Sequence, residues 1–109
     1  MITKNHRRHR RIPYLVPMRI SWEDQGQPCF AIARCIDLSQ DGIRMELNQQ
    51  VPRGARLQIA ADRLNLFGSA TVRRSERSGG KYLLGLEFSQ SMPSSKIAEI
   101  EGAPASPSL

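Results

Sequence analysis

At 109 residues and 39% hydrophobic content, the chain has room for one domain and one modest core. Its formal net charge of +6 is unevenly placed: residues 1–22 hold six basic side chains and no acid, and the remaining 87 hold ten of each sign. That asymmetry describes a cationic arm on an electrically balanced body, and it favours a polyanionic partner over general stickiness. No apolar stretch of a signal peptide follows the basic start, and no run approaches the ~20 apolar residues that span a bilayer. A cytoplasmic protein is expected.

The arm comes first. Arg7, Arg8, Arg10 and Arg11 fall within five residues, interleaved with His6 and His9 and preceded by Lys4. Arginine is preferred over lysine throughout, thirteen to three. A guanidinium is planar, permanently charged and carries five donors in a fork. It can clamp a phosphate or a guanine edge with two parallel bonds, and it can stack on a base. The competing reading is a solvated basic tail.

The body reads as β. Val16, Met18, Ile20 and Trp22 alternate with Pro17, Arg19 and Ser21, a period of two. Pro17 has no N–H for a ladder, so this strand is expected at an edge or irregular. Glu23 to Pro28 carries turn chemistry, and Phe30 to Ile36 is the second strand. Cys29 and Cys35 lie six residues apart on that strand. At strand rise their Cα atoms are ~20 Å apart, so neither a disulfide nor a metal pair is expected.

The sequence DLSQDG, Asp37 to Gly42, turns this strand into Ile43 to Leu47. Asp37 is an acceptor-only group suited to the N–H donors of a guanine, and Ser39 has a hydroxyl that donates or accepts. Asp41-Gly42 is a turn dipeptide in which Gly42 is able to take a positive φ. Alone, the stretch reads first as an ordinary hairpin turn with an Asx or Ser cap. Further strands are expected at Arg56 to Ala60, Asn65 to Arg74 and Lys81 to Phe88, separated by turns at Val51–Gly54 and Arg77–Gly80. Ala61 to Leu64 is a helical turn or a loop. Six strands with closely spaced turns suit a small barrel or sandwich, and closure removes exposed edges. Gly68 and Gly85 mark bends or close approaches to the backbone. Ser94 to Glu101 reads as a short helix, capped by Ser94 or Ser95 and with Ile97 and Ile100 on one face, and the Pro- and Ser-rich stretch 103–109 as disordered. Nothing supports catalysis: both histidines sit in the arm, and no nucleophile stands beside a base.

The paired signature, Arg7-x-x-x-Arg11 and Asp37-x-Ser39-x-x-Gly42, resembles that of the PilZ family. Ile12-Pro13 and Leu84-Gly85-Leu86-Glu87-Phe88 add to the likeness, which runs from about Arg7 to Gln90. The resemblance implies an all-β fold, a six-stranded antiparallel barrel over residues 13–90, with a flexible basic arm at 1–12 and a short helix at 91–102. It implies a non-catalytic receptor for the bacterial second messenger cyclic di-GMP that relays a signal to a protein partner, with no metal or other cofactor. The implied ligand-binding residues are Arg7, Arg8, Arg11, Asp37, Ser39, Gly42 and Gly85. Arg7 and Arg11 would hold phosphates and guanine edges, and Arg8 would make a second contact or stack. Asp37 and Ser39 would read a guanine, Gly42 would admit a close approach, and Gly85 would let a flat base lie on the sheet or simply ease barrel curvature. The chain departs from the family at Asp41, where a glycine is frequent. A basic barrel binding nucleic acid is the rival reading; against it stand 6% aromatics and the uncharged balance of the body. A PilZ-like interaction module without ligand is another.

Overall fold

The computed structural model describes residues 12, 13 and 16–101. Arg7, Arg8 and Arg11 therefore lie outside the described residues, as does the stretch 102–109. The elements in order are β1 (Ile12–Pro13), β2 (Pro17–Asp24), β3 (Gln27–Leu38), β4 (Gly42–Leu47), β5 (Arg56–Ala61), β6 (Leu66–Ser78), β7 (Lys81–Phe88) and α1 (Ser94–Glu101). A single 3-10 turn, Asp62–Leu64, joins β5 to β6.

Six antiparallel strands close a barrel in the order β3-β2-β5-β6-β7-β4, with β4 returning to β3. Inward side chains alternate with outward ones, as the period of two requires. Met18, Ile20 and Trp22 from β2 meet Cys35 and Leu38 from β3, Ile43 and Met45 from β4, Leu57 and Ile59 from β5, Val72 from β6, and Leu84 and Leu86 from β7. Cys35 is buried and Cys29 half-buried on one strand, and no disulfide joins them. Helix α1 closes one end: Ile100 is buried, Ile97 is half-buried, and the Lys96 ammonium donates to the Asn65 carbonyl at 2.6 Å. No helix among the described residues is long and apolar enough to cross a membrane.

The strands run longer than the sequence suggests. The β2–β3 hairpin pairs as far as Asp24 and Gln27, so its turn is only Gln25-Gly26, both at positive φ. Similarly β6 continues to Ser78, leaving Gly79-Gly80 as its turn. Polar residues at hairpin ends were taken as turn, but cross-strand hydrogen bonding carries them on as strand. The expectation for Pro17 also needs correction. Strand β2 is not an edge; it lies between β3 and β5. Pro17 is tolerated because it opens the strand and falls outside the β5 pairing, which covers only Arg19 to Ser21.

Ile12, expected to belong to the arm, is instead paired: β1 sets Ile12 opposite Leu38 and Pro13 opposite Asp37. The outer wall carries three large exposed apolar side chains, Phe30, Ile32 and Phe67.

Gly42 does not use the positive φ open to a glycine. Its requirement is steric: a Cβ there would stand 2.3 Å from the Leu86 carbonyl oxygen of β7. Gly68 is the opposite case, since a Cβ there meets nothing within 4 Å. Gly42→Ala is therefore expected to lower unfolding free energy by about 3 kcal/mol or more, because backbone has to move. Gly68→Ala is expected to be neutral or to stabilise by up to ~1 kcal/mol. Urea denaturation followed by circular dichroism distinguishes the two.

Candidate functional site

The turn between β3 and β4 is built mostly from its own polar groups. Ser39 N–H donates to the Gly42 carbonyl at 2.9 Å, and Asp41 N–H donates to Ser39 Oγ at 3.3 Å. The segment after β7 then fastens it from outside. Phe88 N–H donates to the Asp41 carbonyl at 2.8 Å, and Met92 N–H to the Gln40 carbonyl at 2.7 Å. The Gln40 side-chain amide returns a bond to the Met92 carbonyl at 2.7 Å, and the Ser91 hydroxyl donates to Asp41 Oδ1 at 2.8 Å. The Asp41 carboxylate thus belongs to this fastening. Ser39 is buried, and its oxygen serves the turn as an acceptor, the capping role that the sequence left open.

Asp37 is also buried, and it faces the outer wall opposite Arg44 of β4. Arg44 Nε lies 3.1 Å from both carboxylate oxygens, and a terminal guanidinium nitrogen closes the fork on Oδ2. The Asp37 side chain is 10% exposed and that of Arg44 48% exposed, so one edge of the guanidinium is tied and the other is open. The hydrogen bonds that Arg44 donates to Asp37 push the Arg44 pKa further up; burial opposes this, and the charge of Asp37 assists it. Arg44 is a permanent cation here.

Next to Arg44 on the same wall lies Gly85 of β7, in direct register. The structure therefore brings Asp37, Ser39, Gly42 and Gly85 to one region. Ser39 and Gly42 frame the turn, and Asp37 and Gly85 lie on either side of Arg44. β1 connects this region to the arm. Its pairing of Ile12 with Leu38 fixes the residue that follows Arg11 beside the turn.

Sequence reasoning passed over Arg44 and Gln40. The signal for Arg44 was available: a hairpin turning at Gln40-Asp41 puts 38 opposite 43 and 37 opposite 44. Gln40 carried no local signal, because its partner is Met92, 52 residues away.

Six antiparallel strands close the barrel, and the Asp37–Gly42 stretch lies beside β1, the strand that follows the basic stretch of the sequence. The PilZ domain family model matches residues 5–102, and the chain belongs to the PilZ family. Among solved structures, that of the Bacillus subtilis inhibitor of motility, MotI/DgrA, superposes with a TM-score of 0.63 at 19% identity. The match covers 90% of this chain and 49% of that one, so the chain spans about half the length of this structural relative. No curated protein sequence matches.

Replacing Arg44 by alanine leaves a buried carboxylate without its fork. The open side of the pair faces water, which discounts the loss. Arg44→Ala is expected to cost about 1–2 kcal/mol of stability, read from the urea midpoint at neutral pH. An unchanged midpoint would show that the pair adds nothing to the fold.

Proposed function

We propose that this domain is a non-catalytic receptor for cyclic di-GMP and passes its occupancy to a protein partner. The observation that carries the reading is the pairing of Ile12 with Leu38. It sets the residue after Arg11 opposite Leu38, between Asp37 and Ser39 in the chain, which supports a site shared by the two halves of the signature. Arg7 and Arg11 hold phosphates and guanine edges by charge-assisted bonds, and Arg8 adds a contact or a stacked face. Asp37, oriented by Arg44, accepts from a guanine. Gly85 offers bare backbone to a flat base. Family membership and the MotI/DgrA likeness support a receptor or adaptor role of this kind.

The relay follows from charge. Five basic groups in the first 12 residues, with no acid among them, repel one another. A dianionic ligand removes that repulsion and bridges the arm to the wall, which changes the surface presented to a partner without repacking the core.

Calorimetric titration with cyclic di-GMP tests the reading. Wild-type protein is expected to bind saturably. Arg7→Ala and Arg11→Ala are each expected to weaken binding about 10- to 150-fold, the worth of a charge-assisted bond of roughly 1.5–3 kcal/mol, with circular dichroism unchanged. Equal binding by the double variant and the wild type sinks the assignment. Salt separates the rival class: the dinucleotide is expected to show a shallow dependence. A nucleic-acid ligand with 6–10 phosphate contacts loses about 10³–10⁵ in affinity between 50 and 200 mM salt.

A further inference from the structure

The site extends further across the barrel wall than the signature motifs reach. Asp37 on β3 faces Arg44 on β4, Arg44 faces Gly85 on β7, and Gly85 faces Arg74 on β6. These four residues form one row on the outside of four consecutive strands. Two register shifts create it. In β3 the pairing jumps from Cys35 to Asp37, so Ile36 is the extra residue and Asp37 takes the place opposite Arg44. In β6 the pairing jumps from Val72 to Arg74, so Arg73 is the extra residue and Arg74 takes the place opposite Gly85. Bulges re-aim side chains and gather beside binding sites. Here both act on the same row.

Gly85 is the second, independent observation. Glycine inside a strand costs stability, roughly 0.5–1 kcal/mol. At Gly42 the fold demands it. At Gly85 the fold does not: φ is not positive, and a Cβ would meet only the Arg74 stem, at 3.5 Å, an ordinary contact. A strand glycine often accompanies a bulge or the close approach of another group, and Gly85 lies beside the Arg73 bulge on the row that carries Asp37 and Arg44. The strip is flanked by two exposed guanidinium groups on strands ~10 Å apart. One of them, Arg44, is tied to Asp37. The other, Arg74, has no hydrogen bond or ion pair among the described residues, whereas its neighbour Arg73 is held by Glu87 at 2.9 Å.

We propose that Arg74 is a ligand-binding residue of this site. Its stem lies along Gly85, and its guanidinium closes over a purine of the bound cyclic dinucleotide seated beside that glycine, while Arg44 flanks the other side and positions Asp37. The assignment rests on the functional reading above and adds to it a wall of β4, β7 and β6 that the arm and the turn do not supply. A guanidinium stacked on a base is worth more than an ammonium, because its plane matches the ring.

The test is calorimetric titration of the full chain with cyclic di-GMP, using wild type, Arg74→Ala, Arg74→Lys, Gly85→Val and Arg56→Ala, each checked for fold by thermal unfolding. Arg56 is an exposed arginine on β5, away from the row, and controls for loss of charge alone. Arg74→Ala is expected to weaken binding about tenfold. Arg74→Lys is expected to recover little of that loss, and Gly85→Val to weaken binding at least as much as Arg74→Ala. Arg56→Ala is expected to bind as wild type. Wild-type protein that binds while Arg74→Ala binds equally well overturns the assignment alone. So does an equal loss in Arg56→Ala, which reduces the effect to net charge, and so does full recovery in Arg74→Lys, which removes the stacked plane. Wild-type protein that binds no cyclic di-GMP overturns the functional reading itself, and this assignment with it.

Discussion

The barrel closes because β4 passes directly against β7 at a point where only glycine fits. Gly42 puts its α-carbon hydrogens where any side chain would strike the Leu86 carbonyl. From that approach the β4–β7 register follows, Gly42 opposite Glu87 through Leu47 opposite Tyr82. With β4 held there, β3 can pair with it on the other side and leave no open seam between the first and last strands of the sheet. Asp37, Arg44 and Gly85 stand in one line for the same reason: each occupies a position fixed by that closure.

The turn that delivers Gly42 is held by more than its own bonds. Gln40 and Asp41 are each tied by backbone and side chain to the segment Phe88–Met92. A turn at the tip of an isolated hairpin would be among its softer parts. Here the chain returns from the far end of the sequence to fasten it, and then enters α1, whose Ile100 is buried in the core. The candidate site therefore stands on a turn that the far end of the sequence holds in place.

Much of the fold was legible because a strand leaves a period of two. The alternations at Met18–Trp22, Ile43–Leu47 and Tyr82–Phe88 identify strands with the correct inward faces. Charge arithmetic isolated the basic arm, and the residue types in the Asp37–Gly42 turn suggested its chemistry. Strand ends were misjudged at Glu23–Pro28 and Arg74–Ser78, where polar residues pair in long ribbons against their usual preference for turns. The turn setting of Gly42 left a positive φ open, but its steric need comes from a carbonyl 44 residues further along the chain, which no local pattern shows.

What the sequence determined by itself is whatever depends on neighbours within a few residues: the strand alternation, the turn chemistry, the concentration of charge before β2, and the separation that keeps Cys29 from Cys35. What the tertiary structure alone decided is which outward residues share a row. A bulge shifts everything beyond it by one position and turns a different side chain to each face. No local pattern announces that Ile36 and Arg73 are the extra residues, because a bulge is settled by the fit of two strands to each other. Asp37 therefore meets Arg44, and Arg74 meets Gly85, only once β3, β4, β7 and β6 are laid side by side.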